Sequence, residues 1–300
     1  MTRKLGIGVG VWLFVVAGGM AAEPDIPIEN GIVFGKGGDV ELKLDLARPP
    51  KGEGPFPLVV CIHGGAWQFG SRTAHHRTIR LLADHGYVAA TVQYRLTPKY
   101  QFPAQVEDVK CAVRFLRANA KKYAIDPERV GALGDSAGGH LSLLLGVMDP
   151  GDGLEGKGGS AGQPSKVQAV VDYYGPTDLS TWAATRQGDQ MLKAGTGKDG
   201  DALLKDFVST ANRKDSIMKK ASPLTYIDSK DAAVLTLQGT NDQLVVVEQA
   251  KKLHAALKKA GVPERLEILE GAGHGWGGEQ RNRTDRLTVE FLDKYLKNKK

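Results

Sequence analysis

Five short segments of the chain are almost uninterruptedly apolar, and they constrain its fold more than any other feature. A strand with one solvent-facing side alternates polar and apolar residues, whereas a strand buried on both faces does not. The five segments therefore predict strands of a parallel sheet that is covered by helices on both faces. They are 58–62 (LVVCI), 88–92 (VAATV), 130–133 (VGAL), 167–171 (VQAVV) and 233–237 (AVLTL).

The patterns around these segments indicate a doubly wound α/β arrangement. Residues 39–46 (DVELKLDL) alternate, as a half-buried antiparallel strand does, and residues 265–270 (RLEILE) are strand-like. Apolar residues recur at helical spacing in 109–116, 253–260 and 287–296. Because strands alternate with helices, a mostly parallel sheet is expected.

Length and composition favour one large domain. Three hundred residues, of which 41% are hydrophobic, can bury a single sizeable core, so 23–300 is predicted to be one domain. Residues 151–163 form a glycine-rich loop. Residues 179–222 have weak helical signals and scattered charge, and are expected to be a short, polar cap insertion without a broad aromatic wall. The net charge of +6 is interspersed rather than clustered, which argues against nucleic-acid binding.

The first 22 residues predict a signal peptide. The positive start MTRK precedes an apolar run that is shorter than the ~20 residues of a membrane span, and the small residues GMAA follow. Cleavage after Ala21 or Ala22 would yield a secreted or periplasmic protein without stable membrane insertion; an uncleaved anchor is the alternative. Cys61 and Cys111 could pair after export, but two buried free thiols are favoured. No Cys/His metal-ligand spacing occurs.

The segment GDSAG at 134–138 fits the G-x-S-x-G pattern between a strand and a helix-capable stretch. Its glycines allow a turn tight enough to project Ser136 above the strand ends. This context predicts a nucleophilic serine, whereas the bare pattern is also common in flexible turns.

The segment HGGAW at 63–67 follows the first buried strand. Backbone N–H groups in such a loop can stabilise a developing oxyanion, together with the N–H after the nucleophile. The expected donors are Gly64, Gly65 and Ala137. Trp67 and Trp276 flank the two predicted catalytic loops, where they would contact substrate or pack in the core.

His274 is the predicted base among seven histidines. It lies in a glycine-rich loop after a strand, whereas His140 lies one turn after Ser136 and points along its helix. His254 is expected on a helix surface. The predicted acid is Asp242, which follows the strand 233–237 and preserves the chain order Ser, Asp, His. Asp172 and Asp178, beside another strand end, are the alternatives.

With these residues placed, the chain resembles α/β-hydrolase esterases of the hormone-sensitive-lipase-like type, especially secreted bacterial feruloyl and acetyl-xylan esterases. The resemblance spans about residues 30–299 and includes the blocks HGGAW, YRLTP, GDSAGGHLS, YYGPTDL, GTNDQLV and GAGHG. It implies an eight-stranded, mostly parallel sheet with a small cap. It also implies a catalytic triad at Ser136, Asp242 and His274, and oxyanion glycines at Gly64 and Gly65.

The function expected from this resemblance is exported ester hydrolysis through an acyl-enzyme, with no cofactor and no metal. Expected substrates are short-chain acyl esters or acetyl and feruloyl esters of plant polysaccharide, as small molecules or polymer-linked. An amide-type hydrolase, such as a kynurenine-formamidase-like enzyme or an exopeptidase, is a second reading. A non-catalytic binding module on the same scaffold is a third. The sequence does not predict an oligomeric state.

Overall fold

The computed structural model describes residues 25–297 and contains one eight-stranded sheet. The predicted signal peptide, residues 1–22, lies outside the described residues. The strand order is β1-β2-β4-β3-β5-β6-β7-β8, antiparallel across β1–β2 and β2–β4 and parallel elsewhere. The strands are β1 (Ile28–Gly37), β2 (Val40–Ala47), β3 (Phe56–Ile62), β4 (Val88–Val92), β5 (Ile125–Asp135), β6 (Ala169–Tyr173), β7 (Ala233–Gly239) and β8 (Glu264–Leu269).

Helices cover both faces of the sheet, as the uninterrupted apolar strands predict. Apolar side chains of α1 and α9 bury one face, and those of α2, α4 and α8 bury the other. Within the described residues, no helix is both long and apolar enough to cross a bilayer. The α-helices are α1 (His76–Asp84), α2 (Ala104–Ala118), α3 (Ala120–Tyr123), α4 (Ala137–Val147), α5 (Arg186–Thr196), α6 (Gly200–Val208), α7 (Ser216–Lys220), α8 (Val247–Ala260) and α9 (Gly278–Leu292).

The edge strand β1 is the one strand that the residue patterns do not reveal. It pairs with β2 with irregular register after Glu29 and after Val33, so its side chains do not alternate cleanly between faces. Its position at the sheet edge also leaves Val33 44% exposed. Without regular alternation or a continuous apolar run, the segment carries no strand signal.

The segment 179–222 forms a cap of three short helices, α5 to α7. Side chains of Thr185, Asp199 and Asp215 accept backbone N–H bonds at the three N-termini. The expectation of a polar cap is wrong on its inner face, because Trp182, Leu203 and other apolar residues there are buried. The outer residues carry the charges that dominate the sequence pattern.

Hydrogen bonds fasten the cap to the sheet domain at several points. The indole Nε1 of Trp182 donates to the carbonyl of Leu244 at 3.0 Å. The N–H of Phe102 donates to the carbonyl oxygen of Phe207 at 2.8 Å. The N–H of Thr185 donates to the carbonyl oxygen of Gln243 at 2.9 Å. The cap is therefore part of the same packed unit as the sheet.

Candidate active site

Ser136 stands on the sharp turn between β5 and α4. Its backbone has φ +52° and ψ −119°, a conformation that residues other than glycine rarely adopt. The turn fits because its neighbours lack side chains: a Cβ on Gly138 would overlap the carbonyl oxygen of Ile62, and one on Gly134 would overlap the backbone of Gly138. The sequence therefore holds the hydroxyl of Ser136 at the carboxyl edge of the sheet.

His274 and Asp242 complete a hydrogen-bonded chain with Ser136, as the sequence predicts. The Nε2 of His274 lies 2.9 Å from the Oγ of Ser136, and its Nδ1 lies 2.8 Å from the Oδ2 of Asp242. Asp242 follows β7 and is buried, and its Oδ1 accepts the N–H groups of Leu244 and Val245, each at 2.9 Å. The two carboxylate oxygens thus have different partners, which fixes the orientation of the group.

The two alternative acids bond elsewhere. Asp172 accepts the N–H of Gly175 at 2.9 Å and lies 3.2 Å from the hydroxyl of Thr236. Asp178 accepts from residues of its own turn, including the hydroxyl of Thr181 at 2.7 Å. Neither carboxylate bonds to His274, so neither takes the place of Asp242.

In the loop after β3, the prediction of Gly64 as an oxyanion donor is wrong. The N–H of Gly64 donates to the Oδ1 of Asp135 at 3.1 Å, so it is not free to meet a substrate oxygen. The N–H groups of Gly65, Ala66 and Ala137 bond to no acceptor within residues 25–297, and all three residues line the pocket beside Ser136. Ala66, the fourth residue of the HGGAW block, is therefore a candidate donor that the sequence pattern did not single out.

Asp135 ties this loop to the nucleophile turn. It accepts from Gly64 and lies 3.0 Å from the Nε2 of His75. Burial disfavours its charged form, but the hydrogen bond and charge of His75, with the N–H of Gly64, outweigh that effect and lower the pKa of Asp135. An ionised Asp135 therefore holds the loop after β3 next to Ser136.

Trp67 forms a rigid wall of the pocket. Its ring stacks on Phe207 of the cap at 4.2 Å, and its indole Nε1 donates to the Nδ1 of His140 at 3.2 Å. His140 in turn donates from Nε2 to the carbonyl of Ala221 at 2.7 Å. Burial lowers the pKa of His140 to about 4, so the neutral ring both accepts and donates. As the sequence predicts, the imidazole of His140 does not bond to the hydroxyl of Ser136; both its nitrogens bond to other residues.

The pocket beside Ser136 is about 270 Å³ and mainly apolar. The cap supplies Trp182, Leu192, Thr196 and Leu203 to its lining. The expectation that no broad aromatic wall exists is wrong, because Trp182 of the cap meets Trp67 edge to face at 6.3 Å. Phe69 lies on the same wall and is 43% exposed. The apolar residues of the lining are Ala66, Trp67, Phe69, Ala137, Pro176, Trp182, Leu192, Leu203, Leu244 and Val245.

Trp276, the other predicted substrate contact, does not line this pocket. It lies two residues beyond His274, half-buried, and its indole Nε1 donates to the hydroxyl of Thr284 at 2.9 Å. It lines a separate cavity of about 190 Å³. The geometry therefore places the two tryptophans at different cavities.

The state of the two cysteines and the exposure of His254 are two further predictions with an outcome in the structure. Cys61 and Cys111 are free and buried, as favoured from the sequence. His254 is buried rather than exposed as expected, and its Nδ1 lies 2.5 Å from a carboxylate oxygen of Glu264 on β8. Among the residues that the structure describes, no group of three or more His, Cys, Asp or Glu side chains could hold a metal ion.

The sheet topology and the serine on its strand-to-helix turn define the chain as an α/β hydrolase. Residues 44–257 match the model of the BD-FAE family, and the chain belongs to that family.

Relatives and solved structures named as esterases are similar to the chain. Esterase LipC of Mycobacterium tuberculosis is 32% identical over 74% of this chain and 53% of that protein. Versiconal hemiacetal acetate esterase of Dothistroma septosporum is 30% identical over 79% of this chain and 72% of that protein. The esterase Est2 of Thermogutta terrifontis has a TM-score of 0.72 at 26% identity, over 91% of this chain and 93% of that structure. The chain spans about half the length of LipC and of the related LipQ.

Proposed function

We propose that the protein is an exported serine carboxylic-ester hydrolase that acts on short-chain acyl esters. The observation that carries the proposal is the hydrogen-bonded series Ser136, His274 and Asp242 at the floor of an apolar pocket. Esterase names among relatives and structural neighbours support the same class of reaction.

In the proposed mechanism, Ser136 attacks the ester carbonyl while His274 accepts its proton at Nε2. His274 then gives that proton to the leaving alcohol, and the acyl group remains on Ser136. Water, activated by the same imidazole, releases the acid and restores the serine. Asp242 keeps the Nδ1 proton in place and stabilises the imidazolium between the two proton transfers.

The oxyanion of the tetrahedral intermediate is proposed to bind the N–H groups of Gly65, Ala66 and Ala137. The donors of this loop are fixed before substrate arrives, because two contacts hold the loop. The N–H of Gly64 donates to Asp135, and the Nδ1 of His63 lies 2.8 Å from the carbonyl oxygen of Gly64. A preorganised donor costs no rearrangement when charge develops, and removing one such donor slows acyl transfer by about 10²–10³-fold.

Pocket size supports short acyl groups. The rings of Trp67 and Trp182 and the side chains of Leu192 and Leu203 bound a space of about 270 Å³. A long acyl chain needs an extended apolar channel, because each methylene left in water forfeits about 0.8 kcal/mol. Est2 of Thermogutta terrifontis, a structural neighbour with 25% identity in these forms, has been solved with propionate and with butyrate bound. Acetyl and feruloyl esters of plant polysaccharide remain part of the proposed substrate range.

A fluorophosphonate probe and a chain-length series test the proposal. The purified protein is expected to be labelled at Ser136 and to hydrolyse p-nitrophenyl acetate and butyrate faster than laurate and palmitate. Ser136→Ala is the control that should abolish both labelling and turnover. Absence of labelling in the folded wild type would make the protein a binding module, and preference for palmitate would make it a lipase. Release of acetate or ferulate from xylan tests the polysaccharide part.

A further inference from the structure

The loop after β3 has a backbone conformation that the rest of the fold must hold in place. Three successive residues, Gly65, Ala66 and Trp67, have positive φ values of +111°, +51° and +58°. For residues with a side chain this left-handed backbone costs free energy, and it normally occurs at single positions rather than in succession. In this conformation Ala66 lines the pocket beside Ser136 and carries a proposed oxyanion donor. The position of that donor therefore depends on contacts that oppose the strain.

Backbone hydrogen bonds supply part of this hold. The carbonyl oxygen of Gly65 accepts the N–H groups of Gln68 and Phe69 at 3.0 and 2.8 Å, which closes the turn on itself. The carbonyl oxygen of Trp67 accepts the N–H of Thr97 at 3.0 Å, which joins the turn to the segment after β4. None of these three bonds reaches α4, the helix that begins next to the nucleophile. The side chain of Trp67 makes that connection.

His140 of α4 fixes the indole of Trp67. The carbonyl oxygen of Ala221 can only accept, so the Nε2 of His140, 2.7 Å away, carries the proton. The Nδ1 is therefore the bare nitrogen, and it accepts the indole N–H of Trp67 at 3.2 Å. The two rings meet edge to face at 5.3 Å. Because one tautomer satisfies both neighbours, the imidazole is held in a single orientation.

Packing alone does not require this polar pair. His140 and Trp67 are both buried, and the residues that follow His140 on α4 are mainly leucines. Replacing both partners of a buried hydrogen bond by apolar groups can be nearly neutral for stability. A hydrogen bond differs from an apolar contact in its dependence on angle, so it fixes the direction in which the indole lies. The pair therefore gives the loop after β3 a defined position rather than only a buried anchor.

We infer that His140 is a positioning residue for the proposed ester hydrolysis. Through the indole of Trp67 it holds the loop after β3 so that the N–H of Ala66 faces the developing oxyanion. The inference rests on the proposed function and adds a residue that does not line the pocket. Its second bond, to Ala221 at the end of α7, attaches the cap to the same imidazole. One side chain thus holds both the cap and the loop that carries the donor.

A double-mutant cycle on p-nitrophenyl butyrate tests this role. His140→Leu removes both imidazole bonds, and Trp67→Phe removes the indole N–H while it keeps an aromatic ring. Each change is expected to lower kcat about tenfold, because a displaced donor loses part of the 10²–10³-fold that a preorganised donor contributes. In His140→Leu the KM should change little, since the pocket lining is intact. The double variant should be no slower than the slower single variant, because both changes remove one shared interaction.

A conservative variant and a matched control complete the test. His140→Gln keeps one donor and one acceptor and is expected to recover most of the kcat lost in His140→Leu. Ser222→Ala is the control at the same end of the cap. Its buried hydroxyl accepts the N–H of Leu179 at 2.8 Å and donates to the carbonyl oxygen of Met218 at 2.6 Å. This variant loses buried cap bonds without a change at the loop after β3, so its Tm should fall while its kcat stays at the wild-type value.

The outcomes separate positioning from a purely structural role. Additive losses of kcat in the double variant, or an equal loss in Ser222→Ala, would overturn the inference and leave the hydrolase intact. A raised KM with unchanged kcat in His140→Leu would also overturn it. If His140→Leu does not fold, Trp67→Phe decides, because a wild-type kcat in that variant contradicts the inference. Failure of the proposed function would appear in the wild type instead, as no turnover of p-nitrophenyl butyrate and no fluorophosphonate labelling.

Discussion

Asp242 divides its carboxylate between the imidazole of His274 and the backbone of the loop that carries it. Replacement by asparagine preserves the shape and leaves an oxygen for the N–H groups of Leu244 and Val245. The amide cannot both satisfy those donors and accept from the Nδ1 of His274, so it favours the wrong imidazole tautomer. Asp242→Asn is therefore expected to lower kcat on p-nitrophenyl acetate by up to ~10⁴-fold, as in serine proteases.

The control for this prediction is Asp178→Asn, which changes a carboxylate at a neighbouring strand end. Asp178 bonds to Ser180 and Thr181 and not to His274, so its variant should keep most of the wild-type rate. An active Asp242→Asn beside an inactive Asp178→Asn would reassign the acid.

Asp172 makes stability depend on pH. Burial raises its pKa from 3.8 to about 7, although Gly175 and Thr236 donate to it. Between those values the folded protein holds a proton that the unfolded chain has released, so the free energy of unfolding falls as pH rises. Asp172→Asn has no such proton and should gain stability relative to wild type over this range, by up to about 4 kcal/mol. Urea unfolding at pH 5 and pH 8 measures the difference; an equal difference at both pH values would contradict the prediction.

The side chains of the proposed triad lie together where the sequence predicts them, whereas the hydrogen-bond partner of one backbone N–H was not predictable. Ser136, Asp242 and His274 each follow a strand, and parallel strands bring their carboxyl ends to one edge of the sheet. The N–H of Gly64, in contrast, is occupied by a hydrogen bond to the side chain of Asp135, which lies 71 positions away in sequence. Local pattern cannot show that such a donor is already occupied.

At the scale of elements, the sequence predicts the cap segment 179–222 but not the apolar inner face of that cap. Its helices α5 to α7 are short, so none has enough turns to show an apolar face in the sequence. Trp182, Leu192 and Leu203 belong to different parts of the segment and come together only in the folded protein, where all three line the pocket beside Ser136. Charged residues on the outer side of the cap dominate the composition of the segment, so its sequence pattern does not indicate the apolar inner wall.

The cap helix α5 offers a direct test of acyl selection. Leu192 lines the pocket and is buried, while the adjacent Met191 is 50% exposed. Leu192→Ala should open space and raise kcat/KM for p-nitrophenyl hexanoate relative to acetate, by about fourfold for each methylene that the space admits. Met191→Ala is the matched control and should leave the relative rates unchanged. A similar shift in both variants would mean that cap stability, not pocket space, sets the preference.

At the scale of the whole molecule, the proposed export depends on the sequence alone. The predicted signal peptide lies outside the described residues, and the proposal of export rests on MTRK, the apolar run and GMAA. Protein produced in a bacterial host with a general secretion pathway should begin near Ala22 or Glu23. N-terminal sequencing checks this, and material from the culture medium or periplasm that begins at Met1 or Thr2 would contradict it.

The bonds that fasten the cap also bear on how the protein would behave at an oil surface. Many lipases become active only when a mobile lid swings away at an oil–water interface. Here Trp182 is bonded to Leu244, Phe207 to Phe102, and Ala221 to His140, so the cap would have to break packed contacts to move. Hydrolysis of tributyrin should therefore follow a hyperbolic curve through its solubility limit, without a jump where droplets form. A sharp rise at that concentration would show that the cap opens as a lid.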